Sequence, residues 1–155
     1  MDDERSGPEV LSGIAEALDV SEDDVLRALG GGWRPVELAA DTPGRRRPLI
    51  GWFVSGEPMQ VLLRVAGSTF TVSRLDLRWD GPGTTSIHPT HEREFAREDV
   101  EFQPSLVAET VEDLAVRSRR TFRWCRTCRI VKRLEHMAAR LECMACAADY
   151  RGARY

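Results

Sequence analysis

Apolar residues recur at helical spacing in the first part of the chain. After Pro8 they stand three or four positions apart in two groups: Val10, Leu11, Ile14, Ala17 and Leu18, then Val25, Leu26, Ala28 and Leu29. Ser21, followed three positions later by Asp24, is typical of a helix N-terminus, and Gly30-Gly31-Gly32 is expected to end the second helix. The pattern predicts a helical hairpin.

From Leu49 the apolar pattern changes to that of short strands bounded by turn residues. We predict strands at Leu49–Val54, Met59–Ala66 and Thr69–Trp79. The two-residue loop Gly67-Ser68, with glycine first, suits a type II′ hairpin between the second and third of them. The middle of the chain is therefore expected to form an antiparallel meander.

The third predicted strand changes phase along its length. Phe70 and Val72 share one phase, whereas Leu75 and Leu77 share the other. A bulge near Ser73-Arg74 would restore a single buried face, so we expect one there.

The stretch from Thr84 to Asp99 is polar and contains Pro89. We predict a long loop here, followed by a possible last strand at Val100–Gln103. Three or four strands of this kind would make a small open sheet or barrel.

A helix is expected to begin at Pro104-Ser105, with Ser105 as its cap. Its apolar stripe consists of Val107, Val111 and Leu114. Arginines follow at its C-terminal end, where cations interact favourably with the helix dipole.

These elements predict an α+β fold in three segments. Residues 1–44 would form an acidic helical hairpin and residues 45–103 a β-meander domain, with Pro43–Pro48 as the boundary. Residues 104–155 would add a helix and a C-terminal module built on four cysteines. The first two segments could share one core, on which the third packs through the stripe of its helix.

Composition excludes several protein classes, and charge divides the chain. A length of 155 residues with 42% hydrophobic and 30% charged residues is typical of a globular protein and excludes disordered or fibrous chains. No apolar run is long enough to cross a membrane, and the acidic start differs from an export leader, so we expect a cytoplasmic protein.

Residues 1–44 carry a net charge of −8, residues 45–114 of −3 and residues 115–155 of +8. The two ends are expected to have different electrostatic roles.

Two Cys-x-x-Cys pairs carry the clearest chemistry in the sequence. Cys125, Cys128, Cys143 and Cys146 are separated into pairs by 14 intervening residues. Four thiolates match the tetrahedral preference of Zn²⁺, and a site filled by protein sulfur leaves no position for a reacting water. We therefore predict one structural zinc ion, whose loss would unfold the module. A redox pair or four unrelated buried thiols are the alternatives.

The order of elements expected around these cysteines suggests a local fold. The segment Cys125–Tyr150 resembles a treble clef more than a zinc ribbon, with a knuckle, a hairpin and a helix that supplies the last two ligands. It looks like the small four-cysteine modules that accompany phage-type recombination endonucleases. The resemblance implies the metal and the local fold. An HNH-type nuclease is disfavoured because only His136 lies between the pairs and the chain has no asparagine.

Basic residues surround the cysteines and alternate with aromatic ones. We take eight basic residues and one aromatic residue as candidate nucleic-acid contacts: Arg117, Arg119, Arg120, Arg123, Trp124, Arg126, Arg129, Lys132 and Arg133. Such a set suits phosphate contact combined with base stacking, so the expected partner is nucleic acid, RNA polymerase or another DNA-associated protein. The alternative is a solvated arginine face with Trp124 packed under the knuckle.

Two other patterns support less favoured functions. Residues 15–29 resemble the helix-turn-helix of bacterial repressors, but Glu22, Asp23 and Asp24 would repel phosphates. The acidic segment 1–44 could instead dock a basic protein, as in an antitoxin-like adaptor.

His88 and His91 could belong to a second metal site or an enzyme, although a loop containing Pro89 presents them poorly.

Overall fold

The structure, a computed structural model, describes residues 7–38 and 50–151. Within these ranges the fold is α+β, as predicted, with an antiparallel sheet, helices and a C-terminal cysteine cluster. The predicted boundary at Pro43–Pro48 and the predicted strand start at Leu49 lie outside the described residues. No helix in the described part of the chain is long and apolar enough to cross a membrane.

The N-terminal helical hairpin is present. It consists of α1 (Gly7–Leu18) and α2 (Glu22–Leu29). The Ser21 hydroxyl accepts a hydrogen bond from the backbone N–H of Asp24 at 3.1 Å, which confirms the predicted cap. After Gly30 the chain turns into a short strand that the sequence pattern did not predict, β1 (Arg34–Val36).

A meander of antiparallel strands follows β1, and each strand pairs with the next. The further strands are β2 (Ile50–Ser55), β3 (Val61–Ala66), β4 (Thr69–Gly81) and β5 (Thr84–Ala96). Gly67 has φ of 66° in the predicted two-residue loop between β3 and β4, a conformation that glycine adopts without steric cost.

The predicted loop from Thr84 to Asp99 is wrong, because most of it is the edge strand β5. Its polar residues reflect an edge position, where one side of the strand has no neighbour among the described strands. Pro89 is accommodated there because an edge strand can leave one N–H position unpaired. The predicted strand at Val100–Gln103 is instead mostly a short helix, α3 (Asp99–Phe102).

The predicted bulge lies on the neighbouring strand. β4 pairs with β3 without interruption, and the extra residue near Ser73 belongs to β5, where His91 has φ of 53°. The phase change in β4 arises because both faces of the sheet are buried. Phe70 and Val72 pack under the helices, whereas Leu75 and Leu77 belong to a second apolar cluster.

The larger apolar cluster unites residues from all three predicted segments. It contains Ile14 and Val25 from the helical hairpin, Phe70 from β4, and Val107 and Leu114 from α4 (Pro104–Arg119). Val111 packs against it in part. Helix α4 thus places the predicted stripe on this core. Its N-cap is Gln103 rather than the predicted Ser105, because Pro104 already occupies the first turn.

The C-terminal part of the chain consists of short elements. They are β6 (Arg123–Trp124), β7 (Val131–Lys132), a 3-10 turn (Leu134–His136), β8 (Met137–Ala139), β9 (Glu142–Cys143) and α5 (Met144–Arg151). We refer to residues 123–151 as the cysteine module and to residues 123–132 as the knuckle hairpin.

Candidate metal centre

The knuckle hairpin presents the first cysteine pair. Its two strands pair Arg123 with Lys132 and Trp124 with Val131. At its tip, the backbone N–H of Arg129 donates to the carbonyl of Cys125 at 2.9 Å, closing a tight turn around Cys125 and Cys128. A two-residue gap in such a turn brings both sulfurs to the same side.

The second pair lies at the junction between a hairpin and a helix. Cys143 ends β9, and Cys146 stands in the first turn of α5. The backbone N–H of Arg126 donates to the carbonyl of Leu141 at 2.8 Å, which joins the knuckle hairpin to the β8–β9 hairpin. This bond holds the two cysteine pairs against each other.

The four sulfurs form a compact cluster that could hold a metal ion. All four lie within 4.8 Å of one another, with 3.8 Å between those of Cys125 and Cys146 and 3.9 Å between those of Cys128 and Cys143. A tetrahedral zinc ion with Zn–S bonds of about 2.3 Å would separate its sulfurs by about 3.8 Å. A disulfide requires about 2.05 Å, and all four cysteines are free thiols. The cluster therefore fits zinc.

Hydrogen bonds and burial divide the thiols into different protonation states. Backbone N–H groups, that of Cys128 first and that of Cys143 at 3.3 Å, lower the pKa of Cys125 to about 6. Burial raises the pKa of Cys128, and it raises the pKa of Cys146 to about 12. The cluster therefore holds a thiolate beside protonated thiols near neutral pH, and a metal ion would displace those protons.

Arg133 attaches the cysteine module to the sheet. Its side chain is buried, and its guanidinium donates to the carbonyls of Met59 at 2.6 Å and Leu75 at 2.8 Å. The Glu135 carboxylate, 3.4 Å from the Arg133 Nε, balances the charge. A second link comes from the Trp79 indole N–H, which donates to the Glu135 carbonyl at 3.2 Å.

The predicted nucleic-acid contacts fall into three groups. Arg117 and Arg119, on α4, form ion pairs with Asp113 at 2.8 Å and Glu112 at 2.6 Å. Arg133 is the buried residue that seats the module. The remaining cations are exposed or half-exposed and form no ion pair with a residue of the described ranges: Arg120, Arg123, Arg126, Arg129 and Lys132.

Trp124 is exposed on the module, and the two predicted histidines lie on β5, apart from the cysteine cluster. Trp124 is 50% exposed, so it is not packed under the knuckle. His88 bonds to the hydroxyl of Ser86 on β5, and His91 lies at the bulge. Among residues 7–38 and 50–151, the four cysteines are the group that could hold a metal, and neither histidine belongs to it.

Two of the three acidic residues of α2 form bonds within the N-terminal helical hairpin. Asp24 accepts from Ser21 and pairs with Arg27 at 3.0 Å, and Glu22 accepts from the Ser12 hydroxyl. Two of the three carboxylates considered for partner docking thus have intramolecular partners, whereas Asp23 is exposed.

Sequence reasoning did not find the residues that hold the module on the sheet. Met59, Leu75 and Trp79 act through backbone carbonyls or a single indole N–H, and no spacing pattern marks such contacts.

A scan against protein-family models and searches of curated proteins and of solved structures each found no match.

Proposed function

We propose that the cysteine module holds one structural Zn²⁺ in a treble-clef-like arrangement and binds single-stranded nucleic acid through its knuckle hairpin. The four converging sulfurs support the metal. With every position filled by protein sulfur, the ion would fold the module and activate no water. Its ligands would be Cys125, Cys128, Cys143 and Cys146.

The charge pattern of the knuckle hairpin carries the proposal of an anionic partner. Arg123 stands directly opposite Lys132, and like charges in such a cross-strand pair are unfavourable without a counterion. The Arg123 guanidinium donates to the carbonyls of Arg120 at 3.2 Å and Phe122 at 2.8 Å, which do not neutralise its charge. Arg126 and Arg129 add two exposed cations in the turn between them. A phosphate backbone would neutralise this repulsion, and the released counterions would add to affinity.

Trp124 favours single strands over a duplex. Its indole is half exposed on the same hairpin, directly opposite the exposed Val131. An exposed aromatic ring on a hairpin that also carries arginines can stack on an unpaired base, whereas the bases of a duplex have no free face. Among the described side chains of the module, the exposed cations lie on the knuckle hairpin and, in the case of Arg140, in the turn between β8 and β9, so none of them is presented by a helix that could enter a groove.

Salt-dependent titration tests this proposal directly. The zinc-loaded full chain should bind a short single-stranded oligonucleotide more tightly than a duplex of equal length. If four cations contact phosphates, log K should fall against log salt with a slope near about −3. Equal or tighter binding of the duplex, or no binding of either at low salt, would refute the proposal.

Two variants and a matched control locate the surface. Trp124→Ala should weaken binding about 5- to 100-fold through lost stacking, and Arg126→Gln should lower the salt slope by about 0.7. Arg93→Gln removes an exposed arginine from β5, away from the module, and should change neither. Equal losses in the control would show that overall charge alone determines binding.

A further inference from the structure

A cleft of about 530 Å³ lies between the knuckle hairpin and the turn that joins β2 to β3. Glu57, Pro58 and Met59 line it on the side of the sheet, and residues 129–133 line it on the side of the module. Its size is within the range of pockets that bind small ligands. Because Arg133 bonds to the Met59 carbonyl, both walls are attached to each other.

Positive charge dominates the lining of this cleft. The basic residues are Arg34, Arg129, Lys132, Arg133 and His136, and Glu57 is the acidic one. Glu57 is largely exposed and lies 3.5 Å from Arg34. Burial lowers the pKa of His136, and the charges of Arg133 and Lys132 lower it further, although Glu135 opposes them. With its pKa lowered, His136 adds no charge near neutral pH, while Arg34 lies beside Glu57 and Arg133 beside Glu135. Arg129 and Lys132 form no ion pair with a residue of the described ranges, and these two cations indicate an anionic ligand.

Arg129 occupies a backbone conformation that favours glycine. Its φ is 57°, in the left-handed region, where a side chain with a Cβ is sterically disfavoured. The turn of the first cysteine pair needs this conformation, because the N–H of Arg129 closes it onto Cys125. Strain of this kind is a feature of functional positions. An arginine here places an exposed cation in the lining of the cleft at a local structural cost.

The cleft also offers an apolar surface next to its cations. Met59, Ile130 and Val131 line it together with the charged residues. Ile130 and Val131 are about half exposed, so they have area that a ligand could cover. Cations beside an apolar patch match the chemistry of a nucleotide, in which a charged phosphate and a ring are joined.

We propose that this cleft binds the phosphate of a nucleotide unit, with Arg129 and Lys132 as its principal ligands and Arg34 at the opposite wall. The proposal deepens the nucleic-acid function proposed above and rests on it for the source of the nucleotide. Arg133 acts as a positioning residue: it is 2% exposed and fixes the module against the sheet. The sugar and base would cover Ile130 and Val131.

Calorimetric titration of the full chain with adenosine monophosphate, inorganic phosphate and adenosine tests the chemistry. The monophosphate should bind most tightly and inorganic phosphate at least about tenfold more weakly, because it lacks the ring. Adenosine should show no measurable binding. Adenosine binding as tightly as the monophosphate, or no binding of the monophosphate at low salt, would overturn the proposal.

Arg129→Gly separates binding from structure. Glycine adopts φ of 57° freely, so the melting temperature should stay equal or rise, while affinity for the monophosphate should fall at least about tenfold. Arg140→Gly is the matched control, since it removes an exposed arginine of the same module from the turn between β8 and β9, outside the cleft. Unchanged affinity in Arg129→Gly, or an equal loss in Arg140→Gly, would refute the site.

Lys132 supplies a test that needs no substitution. It is the only lysine of the chain, so an amine-reactive acetylating reagent followed by peptide mass spectrometry reports on this single side chain. Saturating monophosphate should slow its acetylation several-fold and leave the reaction of the N-terminal amine unchanged. Equal rates with and without the nucleotide would contradict the proposal even if a variant failed to fold.

The two proposals fail in different ways. If the oligonucleotide binds with the expected salt slope but the monophosphate does not protect Lys132, the knuckle surface stands and the cleft site is refuted. If the monophosphate binds and protects Lys132 but no oligonucleotide binds, the cleft site stands as a mononucleotide site and the nucleic-acid function is refuted.

Discussion

The helix-covered face of the sheet and the cysteine module are stabilised by different physics. Under the helices, Ile14, Leu18, Val25, Leu63 and Phe70 are all fully buried in one apolar cluster. In the module the buried cluster consists of the cysteines with Met137 beside them. Its larger apolar residues are exposed instead: Trp124, Ile130, Val131, Leu134 and Leu141.

This contrast agrees with the structural role proposed for the four cysteines. A segment of fewer than about 40 residues buries too little apolar surface to fold alone and usually needs a metal or disulfides. The module stays outside the main core, so its stability depends on the cysteine cluster and on Arg133. The same circumstance leaves its apolar and basic side chains free to contact a partner.

Metal removal should produce the largest effect. Stripping zinc from the full chain with a strong chelator should abolish amide-exchange protection in the cysteine module, because structural zinc contributes about 10–16 kcal/mol to folding in such modules. Protection in α2, α4 and β3 should persist, since their core contains no cysteine. Uniform loss across the chain, or unchanged protection in the module, would contradict the division into two kinds of stability.

Truncating a side chain of the helix-covered core should lower the stability of that core and leave the metal affinity of the module nearly unchanged. Phe70 is fully buried and stacks on Phe95 with ring centroids 5.4 Å apart, so Phe70→Ala should lower the free energy of unfolding by about 3–5 kcal/mol. Zinc affinity should change little. Denaturant unfolding measures the free energy of unfolding, and competition with a zinc indicator measures the affinity. The control Phe102→Ala, at a position 77% exposed, should cost less than about 0.5 kcal/mol.

Zinc affinity of the module should depend steeply on pH. Cys128 and Cys146 have raised pKa values and are protonated near pH 7, whereas Cys125, with a pKa of about 6, has already lost its proton. Binding must release at least two protons, so affinity should rise with pH by at least about 100-fold per unit around neutrality. Competition with a chelator of known pH dependence measures this slope. A flat profile would mean that the thiols are not the ligands.

Removing the cap of α2 should have the smallest effect. Ser21→Ala deletes the hydroxyl that accepts from the Asp24 N–H, and should cost about 1 kcal/mol of global stability. The module should be unaffected, as judged by unchanged zinc affinity. Ser105→Ala is the matched control: Ser105 was predicted as a cap, but α4 begins at Pro104 after Gln103, and we expect no comparable loss.

Local patterns predicted the elements whose stability is local. The Ser21 cap, the Gly67-Ser68 loop and the Cys-x-x-Cys pairs each depend on residues a few positions apart. Two local predictions failed, the cap at Ser105 and the strand at Val100–Gln103, but the longest stretch predicted wrongly is one whose partner is distant. β5 was predicted as a loop because an edge strand with exposed polar residues has no apolar alternation, and only its pairing with β4 makes it a strand.

The basic residues show the same limit within the site. In sequence, Arg129 and Arg133 are equivalent neighbours of the cysteines. In the structure one is exposed in the lining of a cleft, and the other is buried with its guanidinium on two backbone carbonyls. Nothing in their spacing distinguishes them, because the carbonyls that bind Arg133 come from residues 58 and 74 positions away.

Which side chains can hold a metal follows from short-range spacing, since a two-residue gap places both sulfurs of a pair on one turn wherever that turn lies. The helical pair and the hairpin turn follow from the sequence as well, because they depend on short-range hydrogen bonds. What each face of β4 packs against, and where the module sits, follow from the tertiary structure alone. Both depend on contacts between residues far apart in the chain. Such contacts contribute free energy only after the long chain segments between them have been closed into loops.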